Sequence, residues 1–332
     1  MERRNIDDLI DIIRKSVEQH KLATGQYSRW IFGENRDLSI NEYGCADAAN
    51  ILYSIGDFPT DIDERAQWVK ILQNMQDKET GMFNEKTHHP FHTTAHCSAA
   101  LELFDAKPLY KCSALEKYTT KEGLYSLFEE EIDWKNPWDA SHMGAGILPA
   151  LVNTNMATLE WKDWYFDWMW EHSDEKTGFI SLGGCKENIP IYGYMAGHFH
   201  YLFNHETEHR PMRYPEKVID SCLALMKLGQ SPLNAGMRSF IGFIDIDVVY
   251  CLTRAMRQTP HRFYEAKAEL EYYADNYLNM FYGIDYEHDK YFNDLHSLFG
   301  AVCCLCELQS ALPGKIITSK PLKLVLDRRP FI

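Results

Sequence analysis

Acid–base and hydrogen-bonding side chains recur along this chain in matching apolar surroundings. Asp47, His96, His142, His198, Asp247 and His296 follow one another at intervals of 49, 46, 56, 49 and 49 residues. Four residues before each stands an aromatic ring: Tyr43, His92, Trp138, Tyr194, Phe243 and Phe292. Side chains four apart share a helix face, so the two series form an aromatic rim one turn above a deeper polar ring. Asp245 and Asp294 sit two residues before the polar series, and Asp139 stands at the head of the third segment. Tyr201, Tyr250 and Phe299, three residues beyond, are placed to close a floor.

Such a layered cavity suits sugars. Aromatic faces stack on sugar rings, while Asp, His and Tyr bond hydroxyls and move protons. Carboxylates in contrasting environments perform glycoside hydrolysis, one protonated and one ionised. A His with a neighbouring Tyr abstracts a proton beside a carboxylate, as elimination or epimerisation requires. Asp245 and Asp247 are the first candidates for general acid and base, with Asp294 and Asp139 in reserve. Tyr43, Asp47, His92, His96, Trp138, His142, Tyr194, His198 and His296 are the candidate substrate contacts. The plainer alternative is a hydrogen-bonded core network, but burying several Asp and His side chains costs kilocalories each unless they are paired.

The elements that position these residues follow from periodicity. The marked segments are small and apolar on most faces, as helices packed on all sides are. Between them, residues 6–20, 61–76, 122–133, 160–172, 215–228 and 262–280 carry apolar residues at three- and four-residue steps with charges opposite, which predicts flanking helices. Strict alternation of the two kinds predicts an all-α (α/α)6 toroid of six helical hairpins, one domain over residues 1–332. An open helical solenoid is the structural alternative. Residues 311–332 lack a helical pattern and are expected to form an extended tail packed on the outside. DKETGMF (77–83) and DEKTGFI (174–180) read as turns, so Asp77 and Asp174 are assigned to local bonding. Loops 21–41, 173–192 and 229–242 are long enough to roof the cavity.

A net charge of −14 excludes a phosphate-backbone partner, which needs clustered Lys and Arg. The charged N-terminus lacks a signal-peptide core and no run of about eighteen apolar residues occurs, so a cytoplasmic protein without membrane contact is expected. Nine cysteines then read as reduced thiols, with Cys45, Cys97, Cys251, Cys303 and Cys304 acting as small apolar residues inside the buried helices. The expected partner is a small carbohydrate, with no cofactor or metal assigned; the sequence leaves the oligomeric state open.

Over roughly residues 6–310 the repeat resembles the α/α-toroid superfamily, which includes six-hairpin glycosidases, sugar epimerases, polysaccharide lyases, and the prenyltransferase and squalene-cyclase (squalene oxidase) repeat proteins. QNMQDKETGMF is similar to the Gln-rich, Gly-aromatic turn of the last group through Gln73, Gln76, Gly81 and Phe83. That branch implies a rival reaction. Asp245-Ile246-Asp247-Val248 resembles the first two acids of the Asp-x-Asp-Asp motif with which terpenoid cyclases protonate an alkene, with Val248 in place of the third. Zinc is a further possibility, since superfamily members hold it with a Cys ligand. Here HHPFHTTAH, with His88, His89, His92 and His96, is where to look, although His88 and His89 also read as exposed loop residues. A non-catalytic helical-repeat binding protein, whose acidic faces attract a basic partner, is the non-enzymatic alternative.

Overall fold

The computed structural model of the chain describes residues 1–227, 238, 240–289, 292–328 and 331. It is mostly helical. Helices α1 (Asp7–Gln19), α3 (Ile62–Asn74), α5 (Lys121–Ser126, prolonged by a π turn Leu127–Glu131), α7 (Leu159–Glu171), α9 (Pro215–Lys227) and α11 (Phe263–Tyr282) occupy the segments expected to flank. Their burial is one-sided, as on α1, where Leu9, Ile10, Ile13 and Val17 are covered. Helices α2 (Glu42–Ser54), α4 (Pro90–Leu103), α6 (Pro137–Asn153), α8 (Ile191–Thr207), α10 (Phe243–Gln258) and α12 (Leu295–Ala311) contain the marked residues. Burial there is almost continuous, from Tyr43 to Ile51 on α2 and from Phe91 to Leu101 on α4. Among the described residues, no helix is long and apolar enough to cross a membrane.

Local chemistry sets where these helices begin. Asn41 caps α2 by accepting the Gly44 N–H, Asp61 caps α3 through Glu64, and Thr158 caps α7 through Trp161. Pro90 and Pro137 open α4 and α6, where their missing N–H costs nothing. Asp77 and Asp174 are turn residues: each accepts backbone N–H bonds from the two or three residues that follow, while Gly81 and Gly178 adopt φ of +71° and +80°.

The buried helices pack in sequence, α2 on α4, α4 on α6, α6 on α8, α8 on α10 and α10 on α12, and α12 packs back on α2. Small residues permit the closest approaches. A Cβ at Gly44 would fall 2.5 Å from the Tyr27 carbonyl oxygen, so glycine lets the 27–29 segment lie directly on α2.

The C-terminal segment does not stay outside as expected. A parallel bridge pairs Arg4 and Asn5 (β1) with Ile316 and Ile317 (β4), after strands β2 (Lys21–Ala23) and β3 (Gln26–Tyr27) have formed a small hairpin. A short helix α13 (Val325–Arg328) then packs against both α8 and α2. Phe331 is fully buried, its ring 5.1 Å from that of His92 and 5.7 Å from that of His200. Five apolar residues, Leu322, Leu324, Val325, Leu326 and Phe331, are covered by this path, which an extended outer tail would have left wet.

Candidate active site

Four of the buried helices direct their N-terminal turns at one cavity of about 120 Å³. His92 comes from α4, with His88 just before it; Trp138 and His142 from α6; Phe243 and Asp247 from α10; His296 from α12. Helix α8 contributes Phe199 and His200 from deeper in its length, and Arg29 enters from the segment that Gly44 admits. A wider outer cleft of about 560 Å³ lies beside this cavity and shares His88, Trp138 and His142 with it as lining. Converging helix N-termini carry partial positive charge and favour an anionic ligand.

Asp47 is fully buried behind the cavity wall. Its carboxylate lies 3.2 Å from His296 Nδ1 and 2.9 Å from His96 Nε2. Burial alone would raise its pKa, but the charge and hydrogen bonds of the two imidazoles outweigh it and hold the group well below the ordinary carboxylate range. Bonded from behind at Nδ1 by Asp47, His296 lines the cavity with its ring held in place by the carboxylate. Tyr43 stacks on His96 and His88 and meets the His296 ring edge-on.

Asp247 is the opposite kind of acid. It is buried against the cavity, and burial, with Asp245 near by, pushes its carboxyl well above the usual range. One cavity therefore holds a carboxyl whose buried setting favours its protonated form and an imidazole bonded by a carboxylate.

His92, His142 and His200 converge on another side of the same space. Tyr43 Oη and His92 Nδ1 are 2.6 Å apart, and Ser141 Oγ and His200 Nδ1 are 2.9 Å apart. Burial and mutual repulsion depress all three imidazoles, His142 to about 2 and His200 to about 3, so they are neutral. Two groups have the ligand types and proximity for a metal ion, His92 with His142 and His200, and Asp47 with His96 and His296. His92 and His96, paired by their spacing in the sequence, thus fall into different groups.

Arg29 lies at the cavity edge, 7% exposed. It holds Asp294 through two bonds of 2.8 and 3.1 Å, donates to Thr87 at 2.7 Å, and lies over Trp30 and Tyr43. His88 is mostly buried rather than exposed, and its pKa falls to about 4 because of that burial.

Of the four candidate catalytic acids, only Asp247 lines the cavity. Asp245 turns to the flanking layer, where Tyr273 donates to it at 2.5 Å, Arg238 pairs with it and the Gly242 N–H caps onto it. Asp294 is the α12 N-cap and the partner of Arg29. Asp139 is exposed on the outer cleft beside Asn136. Asp245 and Asp294 are engaged in structural bonds, and Asp139 faces the outer cleft.

The candidate contacts His92, Trp138, His142 and His296 do line the cavity, with Tyr43, Asp47 and His96 packed behind. Tyr194 and His198 do not. Tyr194 accepts the Lys186 N–H at 3.0 Å, and His198 packs on Phe179. The residue of α8 that faces inward is His200, two positions on; a slip of two residues turns a helix face by about 200°. The long 173–190 connection before α8 hid that slip, because its extra length was absorbed at the wrong residue. Phe292 precedes α12 and packs on Phe281 and Tyr286. Tyr201 stacks outward on Trp134, whereas Tyr250 packs with Phe199 and Phe203 beneath the cavity and Phe299 reaches His96. Of the expected roof loops, 21–41 supplies Arg29; 173–192 packs beside Tyr194; 229–242 lies largely outside the described residues. Arg29 and Phe331 were missed and left no signal, as neither belongs to the repeat.

No protein-family model matches the sequence, and no curated protein or solved structure is significantly similar to it.

Proposed function

We propose that the protein is a carbohydrate-active enzyme with an (α/α)6 toroid fold, performing acid–base chemistry on a small uronic-acid-type sugar in the central cavity. The return contact of α12 on α2 supports closure of the hairpins into a toroid. The observation that carries the function is the placement on one cavity wall of Asp247, whose burial favours its protonated form, and His296, bonded at Nδ1 by Asp47. His296 takes the proton from the carbon beside the sugar carboxylate, or from an attacking water, while Asp247 gives one to the departing oxygen. Arg29 and the helix N-termini favour the substrate carboxylate, and Trp138 and Phe243 offer faces to the ring. With Asp247 the one carboxyl on the cavity wall among the described residues, elimination fits better than the two-carboxylate route of hydrolysis.

The test is a screen of uronic-acid oligosaccharides, neutral oligosaccharides and prenyl diphosphates, read by thermal shift and by turnover. Appearance of an unsaturated sugar product, seen by ultraviolet absorbance, supports elimination; new reducing ends without it point to hydrolysis. Stabilisation by prenyl diphosphates alone would transfer the site to isoprenoid chemistry. Response to none of these ligands overturns the enzymatic reading in favour of a binding scaffold.

A further inference from the structure

We propose that His92, His142 and His200 together hold one divalent cation of the zinc class, with an open coordination position facing the cavity. The three come from different helices, α4, α6 and α8, and all are buried. Their donor nitrogens lie within 4.8 Å of one another. The rings stand nearly perpendicular in pairs, at 72°, 87° and 76°, with centroids 4.8, 5.4 and 5.8 Å apart. Imidazoles at adjacent corners of a zinc tetrahedron, with Zn–N bonds of about 2.0–2.1 Å, place their centroids about 5.2 Å apart. Small ring rotations bring the nitrogens from the observed spread to the bound one.

Hydrogen bonds at Nδ1 of His92 and His200 leave Nε2 as the nitrogen that each can offer a metal. Ser141 Oγ donates its one proton to the Trp138 carbonyl at 2.5 Å. It can therefore accept from His200 Nδ1–H, on a ring that also bonds the Ala196 backbone, and in that tautomer Nε2 keeps a lone pair for a metal. Tyr43 holds His92 by the same atom, and its hydroxyl can accept from Nδ1–H as well as donate. Oriented Nδ1 contacts of this kind are the usual outer support of metal-bound histidines. Phe199, Phe203 and Phe331 surround His200 as an apolar shell, and such a shell limits water at a metal. The Asp47 group differs: its carboxylate already bonds its own histidines, so it is a closed hydrogen-bonded network. Three neutral ligands leave the cation its full charge, and a carboxylate or carbonyl oxygen of a ligand can take the open position.

Metal content tests this independently of the reaction proposed above. Full-length protein is stripped with chelator, dialysed against Zn²⁺ or Co²⁺, and read by elemental analysis and by the visible absorption of Co²⁺. About one ion per chain is expected, with tetrahedral Co²⁺ absorption. H142A and H200A should lose the ion, while H198A should bind as the wild type does. Y43F and S141A keep all three imidazoles and should weaken affinity about tenfold or more. Circular dichroism monitors the fold; if the alanine variants unfold, Y43F and S141A carry the test. Absence of bound ion in the wild type overturns the proposal. So does retention in folded H142A and H200A with loss in D47N, or unchanged affinity in both Y43F and S141A.

Discussion

His296 Nδ1 stands 3.2 Å from both carboxylate oxygens of Asp47, so a fully buried carboxylate is held between this imidazole and that of His96. Replacing Asp47 by Asn removes the acceptor charge while leaving both histidines in place, and losing hydrogen bonds to a charged group costs about 1.5–3 kcal/mol. The folded carboxyl titrates below its unfolded value of 3.8. Its stabilisation is therefore complete above that pH and fades as pH falls towards the folded value. Urea unfolding of wild type and D47N should differ most near neutrality and converge in strong acid. Equal stabilities at neutral pH would mean that the pair is not a support of the fold.

Asp247 offers the cleanest separation of chemistry from structure. Asn is close in shape to a protonated carboxylic acid, so D247N should keep thermal stability within about 2 kcal/mol of wild type. Turnover, once a substrate is identified, should fall by about two to four powers of ten if Asp247 is the proton donor. Unchanged turnover would remove Asp247 from the mechanism.

His198 provides a counter-case on the neighbouring face of α8. Both its ring nitrogens lack hydrogen-bond partners among the described residues, and burial pushes its pKa to about 3, against 6.5 when exposed. The native group stays neutral while the unfolded chain gains a proton below 6.5, so stability is full above that pH and is lost as pH falls towards 3. H198L should match or exceed wild type at neutral pH and surpass it by on the order of 2 kcal/mol at pH 5. Denaturation midpoints at the two pH values measure this, and catalysis should be untouched.

Arg254 is 1% exposed and joins three elements, bonding Glu307 at 2.8 and 2.7 Å and Asp327 at 2.7 Å, with Glu206 at 3.5 Å. R254M strands Glu307 without its counter-charge and should cost about 3–5 kcal/mol. The double variant R254M/E307L should regain part of that loss. Hydrogen exchange should accelerate in α13, whose Asp327 keeps, among the described residues, only Arg257 at 3.2 Å as an arginine partner; unchanged protection there would separate the segment's docking from the ion cluster.

The repeat made the helices legible, because side-chain burial imposes a period that sequence must obey. The flanking segment expected at 215–228 is a helix over Pro215–Lys227, and that at 61–76 a helix over Ile62–Asn74. Direction around a helix was harder to read than the helix itself. His198 and His200 are equally apolar in context, and only packing against Phe179 or the cavity distinguishes them. Carboxylates were misjudged for a related reason. Asp245 and Asp247 lie on neighbouring turns of one chain segment, but Tyr273, twenty-eight residues later, claims the first. Such distant partners leave no local trace. Arg29 is the extreme case, since the glycine that admits its segment belongs to another element.

The path of the C-terminal segment bears on what kind of molecule can use the cavity. α13 spans from α8 to α2, and Phe331 fills the space beneath His92 and His200. Among the described residues, that end of the cavity is closed. For the carbohydrate proposed above, a substrate would insert one end and its product would leave by the side it entered, past His88, Trp138 and His142, which line both the cavity and the outer cleft.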